Sequence, residues 1–187
     1  MPRRLCAAIL FAFTLFAAGP VYRSASIDGN GQLRIGPAFG KEIVPRRLPT
    51  QTAFSDPRIA PNGRAVGWLV EYPNCCTSYD IPLKLAVLNS GRVRHLFGGS
   101  QMIWDWDFKD DGRNVAYSTG PTHGGAAECT LADVETGKIV AHWWVRDDQT
   151  PPVWAQSLRR QVSLKTRHHL PGKNHKPAHS APPCGDS

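Results

Sequence analysis

The stretch DPRIAPNGRAVGWLVE at residues 56–71 returns 49 positions later as DWDFKDDGRNVAYSTG at residues 105–120. A chain that repeats a local pattern builds the same local structure twice and must then pack the two copies together. Each copy carries a turn dipeptide, Asn62-Gly63 or Asp111-Gly112, whose second residue tolerates the positive φ that a tight turn demands. Apolar residues follow at alternate positions, Val66 and Trp68 in the first copy and Val115 and Tyr117 in the second. A spacing of two is the signature of a half-buried strand, not of a helix face.

The correspondence extends beyond the quoted lines. Ser90-Gly91 is matched by Thr136-Gly137 at an offset of 46. Each unit therefore reads as strand, tight turn, strand, longer loop, strand, tight turn, strand. Strands are expected at 54–60, 64–72, 83–88, 92–97, 103–108, 113–119, 127–133 and 138–145, in two antiparallel sets. The expected fold class is all-β, with two four-stranded antiparallel meanders. The 16 Pro and 17 Gly suit such a turn-rich chain.

The segments APNGRAVGW and KDDGRNVAY, followed by LAVLNSGRV and LADVETGKI, resemble the TolB-like, WD-repeat-like β-propeller repeat. In that family one strand ends in a Pro/Asp-Asp-Gly turn, and a later one ends in a polar residue followed by Thr-Gly-Lys or similar. The resemblance covers about residues 54–145 and is better in the second copy, since the first has SDPRI where a Ser-Pro-Asp-Gly turn is usual. It implies propeller blades and, because propellers of this type are commonly platforms, a protein-interaction role. The competing reading is an ordinary sandwich of unrelated hairpins. Closed propellers use about four to eight blades, whereas two are legible here, so each end would present an unpaired strand. The sheets could pack face to face, copies could associate through open blade edges, or the chain could be a shortened relative of a longer propeller.

The flanks differ in texture. MPRR, an apolar run of 14 residues (LCAAILFAFTLFAA) and then small residues read as a secretory signal. The run is shorter than the roughly 20 residues that span a bilayer. Residues 1–26 are assigned to this signal, as a helix, and 27–52 to an N-terminal arm in which QLRIG and KEIV are each either a short strand or extended arm. Residues 53–146 form the two-repeat domain, and 147–187 a basic, Pro- and His-rich tail that is largely disordered. Within the tail, VWAQSLRRQVSL is expected to form a helical turn or two with Val153, Leu158 and Val162 on one side. The implied location is periplasmic or secreted, with no membrane contact after signal removal. The net charge of +7 invites a nucleic-acid reading, but seven of the 22 basic residues lie in 146–187, where Pro rather than stacking aromatics separates them. No nucleic acid is expected as a partner.

Export gives the cysteines a disulfide reading. Removing Cys6 with the signal leaves Cys75, Cys76, Cys129 and Cys184, an even number. If the units are adjacent blades, a bridge from Cys75 or Cys76 to Cys129 would tie them together.

Motifs for catalysis are absent: no GxSxG, HExxH, phosphate loop or EF-hand spacing occurs. Asp105 and Asp107 are expected on one face of a strand, opposite Trp104 and Trp106, and Asp110 and Asp111 as turn formers. Successive hairpins put the four tight turns on one rim and the longer loops PNCCTSYDIP and TGPTHGGAAE on the other. Binding residues concentrate on such loops, which makes Tyr79, Asp80, His123 and Glu128 the candidates. His168, His169, His175 and His179 in the tail are candidate ligands for loosely held transition metals. No cofactor is implied. The reading reached is an exported, non-enzymatic interaction module with a protein partner; a metal-binding tail and an enzyme built around His123 are the alternatives.

Overall fold

In the computed structural model, the described residues are 19–75, 78–123, 128–146 and 148–158. Residues 1–18 of the stretch read as a signal, Cys76, Val162, Cys184 and the tail histidines lie outside them. The chain forms β1 (Tyr22–Ile27), β2 (Leu33–Pro37), β3 (Ala53–Ile59), β4 (Ala65–Tyr72) and β5 (Ile81–Asn89). It continues through β6 (Arg92–Gly98), β7 (Met102–Lys109), β8 (Asn114–Gly120), β9 (Glu128–Asp133) and β10 (Ile139–Trp144).

The repeat folds as two antiparallel meanders, ordered β3-β4-β5-β6 and β7-β8-β9-β10. Every expected strand of the repeat is present, with ends displaced by no more than two residues. The turn chemistry explains this accuracy. Gly63, Gly91, Gly112 and Gly137 all have positive φ, at 69°, 82°, 85° and 71°. A side chain at these positions would strain the backbone, so the glycines pin where each hairpin reverses.

The two sheets stack in a head-to-tail manner set by the repeat. Val115 and Tyr117 of the second sheet share a buried cluster with Leu69, Leu85, Val87 and Phe97 of the first. The equivalent residues of the first sheet, Val66 and Trp68, face the other way and bury against Tyr22, Leu33 and Ile35 of β1 and β2. The β1–β2 hairpin thus occupies the position that a preceding sheet would take. The turns repeat the relationship. A Cβ on Gly112 would meet the Cβ of Ala60 in the preceding sheet at 2.6 Å, and one on Gly63 would meet Val21 at 3.0 Å. On the far side, Ala116, Cys129 and Leu131 are covered by Ala155 and Leu158, with Trp143, Val145 and Trp154 around them. Both outer faces are therefore covered by segments that flank the repeat, Tyr22, Leu33 and Ile35 on one side and Ala155 and Leu158 on the other. Among the described residues, the lateral edges β3, β6, β7 and β10 carry no further strand of their own sheets.

Three expectations need correction, and the choice left open for KEIV is made. The boundary at residue 26 cuts through β1, whose Tyr22 is buried and whose hydroxyl accepts the Gly91 N–H at 2.8 Å. The KEIV segment contributes only an isolated bridge between Ile43 and Ile35. Val153 is 84% exposed; the 3-10 turn Val153–Ala155 instead buries Ala155, and Leu158 follows it into the core. In β7, a register shift between Ile103 and Asp105 interrupts the simple alternation read for WDWDF. Ile103, Trp106 and Phe108 consequently all enter the cluster between the sheets.

Candidate functional site

The second sheet presents a polar surface beside the point where the apolar inter-sheet cluster ends. Register builds it. Thr119 of β8 stands opposite Glu128 of β9, which stands opposite Trp144 of β10. In the adjacent row, Tyr117 is opposite Thr130, which is opposite His142. Directly paired residues share a sheet face, so the six side chains form a grid two rows deep and three strands wide. The β6–β7 connection over Gly98, Gly99, Ser100 and Gln101 walls one side and completes a cavity of about 220 Å³.

Contacts within the grid are specific. His142 Nε2 and Glu128 Oε1 are in direct hydrogen-bond contact across the two outer strands. The His142 ring meets the Trp144 indole edge-on, with centroids 5.6 Å apart. Trp144 itself is half exposed. Burial raises the Tyr117 phenol above its ordinary value, opposed by its hydrogen bonds to the Thr130 side chain and the Gly98 backbone and reinforced by the Glu128 charge. Those two bonds anchor the loop to β9 at the cavity floor.

Among the sequence candidates, Glu128 alone lines this cavity; Tyr79, Asp80 and His123 do not. These three are exposed on the longer loops. Asp80 exerts its charge on Glu71, whose carboxyl is raised mainly by burial and lowered in part by the Ser55 hydroxyl. His142 was missed because its role depends on cross-strand register; the alternation of His142 and Trp144 in AHWWV is the one local hint. Among the described residues, no group of three or more His, Cys, Asp or Glu is placed to hold a metal. No described helix is long and apolar enough to cross a membrane.

The cysteines are not joined as expected. Cys129 is a free thiol, fully buried in the cluster beneath Ala155 and Leu158, while Cys75 is exposed on the β4–β5 loop. The Cys129 side chain points into the outer face of the second sheet, away from the first, which removes it from a cross-sheet bridge. Burial pushes its thiol up to about 12, with smaller contributions from Glu128 and Asp105.

A second cavity, of about 260 Å³, lies at the tight-turn rim. It gathers the repeat-equivalent Arg64 and Arg113 with Asn62, Ser90 and Glu135. Comparison with known proteins matches this chain to no family model and to no curated protein.

Proposed function

We propose that this chain is an exported, non-enzymatic module of two TolB-like repeats that acts as a protein-interaction surface. The observation that carries the reading is strand β10. It is the lateral edge of the second sheet and leaves Ile139, Val140 and Trp144 exposed at 64%, 57% and 51%. Edge strands offer unpaired backbone groups to another chain, and native proteins usually blunt them with charge or Pro. Here IVAHWW carries neither an acid, a lysine nor a proline. An extended segment of a partner adding to this edge would pair its backbone and cover the apolar side chains together.

Photo-crosslinking from position 140 of the full chain, in the compartment to which it is exported, tests this. A discrete protein adduct from position 140, with none from the hairpin tip at Asn30, is the expected result. An adduct of twice the chain mass would identify the partner as a second copy. Equal or absent crosslinking at the two positions would overturn the reading.

A further inference from the structure

The grid around Glu128 and His142 has a chemistry that edge pairing does not use. Its one carboxylate is already held in a hydrogen bond with the imidazole of His142. Its other groups are hydroxyls and an amide, from Thr119, Thr130, Ser100 and Gln101. The half-exposed indole of Trp144 lies against His142, next to the cavity lining. Thus acceptor-only and donor–acceptor groups line a cavity of about 220 Å³, and a flat apolar ring packs on His142, one of its lining residues.

A ligand that satisfies all three elements carries several adjacent hydroxyls on one side and a non-polar C–H face on another. Each ligand hydroxyl can donate to a carboxylate while accepting from an amide or an imidazole. A C–H face laid on an indole buries apolar area without desolvating a polar group. A bare metal ion would find only Glu128 and His142 as strong ligands, below the usual count of four. A simple anion would meet the Glu128 carboxylate.

We propose that this grid is a binding site for a neutral saccharide. Glu128, His142, Thr130 and Gln101 hydrogen-bond adjacent ring hydroxyls, and Trp144 stacks on the ring's C–H face. The site shares Trp144 with the partner-binding reading, but it rests on the side chains of Glu128 and His142, whereas that reading rests on the backbone edge of β10 and on Val140, so Val140 and Glu128 substitutions tell the two apart. Either can hold without the other.

The test is a titration of the full chain with methyl glucoside, methyl galactoside, N-acetylglucosamine and cellobiose, followed by tryptophan fluorescence and by backbone amide chemical shifts. At least one sugar gives a saturable change, with shifts centred on Thr119, Thr130, His142 and Trp144. Trp144→Ala and Glu128→Gln each weaken that binding about tenfold or more, equivalent to about 1.4 kcal/mol. Val140→Lys, at the edge, leaves it unchanged. The amide shifts are read on the unsubstituted chain, so the outcome does not depend on either variant folding. No saturable change with any of the four sugars overturns the proposal, as do shifts centred away from the grid or undiminished binding by both variants.

Discussion

Nη2 of Arg58 on β3 lies 3.1 Å from Oδ1 of Asp105 on β7, joining the two sheets through a carboxylate that is only 8% exposed. The same nitrogen bonds Asp56 Oδ2 at 2.7 Å, while Nη1 donates to the Trp106 carbonyl. The guanidinium carbon also lies 5.0 Å from the centre of the Trp106 ring. Asp56 and Asp105 are 49 positions apart, so one arginine gathers the same carboxylate from both repeats. Removing Arg58 leaves Asp105 buried with its charge unmatched. Arg58→Ala is expected to lower unfolding stability by about 1–3 kcal/mol in urea titration. In a double-mutant cycle with Asp105→Asn the two losses are expected to be less than additive. Full additivity would mean that the pair is not coupled.

Gly67 on β4 is a packing position rather than a turn. A Cβ there would lie 2.5 Å from Cη2 of Trp106, which is fully buried between the sheets. Because a large ring cannot retreat within a close-packed cluster, Gly67→Ala is expected to destabilise by about 1–3 kcal/mol. Circular dichroism during chemical denaturation measures the loss. A neutral effect would show that the sheets can separate slightly at no cost.

Cys129 is expected to resist thiol reagents in the native protein. Its thiol, at about 12, stays protonated at pH 8, and its place beneath Ala155 and Leu158 excludes the reagent. Mass spectrometry after iodoacetamide treatment should locate labelling at Cys129 only once denaturant is added. Native labelling at a rate like that of an unfolded control would mean that the segment covering it opens readily.

Glu71 gives stability a pH dependence of unusual sign for a carboxylate. Burial raises its folded-state value above the unfolded one, and the charge of Asp80 adds to this. The folded state therefore holds the proton more tightly, and its contribution is fully present below the unfolded value. Stability from this group falls as pH rises from that unfolded value through the raised folded one. Glu71→Gln is expected to remove this fall and to be more stable than the parent at pH 7, with the advantage shrinking toward pH 4. Thermal unfolding from pH 4 to 7 reads both effects. A parent more stable than the variant at pH 7 would contradict the assignment.

If the chain is exported as proposed, its processing is expected to end before Val21. The Val21 carbonyl accepts the Ala38 N–H at 2.6 Å, and the Tyr22 N–H reaches the Gly63 carbonyl at 2.7 Å. A cut after Ser26 would remove most of β1 and uncover Val66 and Trp68. Intact-mass measurement of secreted protein locates the terminus. A mature chain that begins at Ile27 and unfolds as cooperatively as a chain beginning at Pro20 would show β1 to be dispensable.

The eight strands of the repeat were legible because what specifies them is local. Alternation such as Val66–Trp68 is written in neighbouring residues, and glycines such as Gly63 and Gly137 reverse the chain wherever they occur. By itself the sequence determined the meanders, their turns and the rim on which each loop falls. Strand β1 was not legible, because YRSASI has little apolar periodicity and is held by the burial of one residue, Tyr22, and by pairing with β2. The register shift before Asp105 had no local signal either; it follows from seating Ile103 and Trp106 in one cluster. The grid was still further out of reach. Glu128 and His142 are 14 residues apart, and the contact between them exists because β9 and β10 pair in one register. A slip of one residue would send their side chains to opposite faces. Local chemistry chose the strands, while the cross-strand and cross-sheet packing of the folded chain decided which polar groups meet.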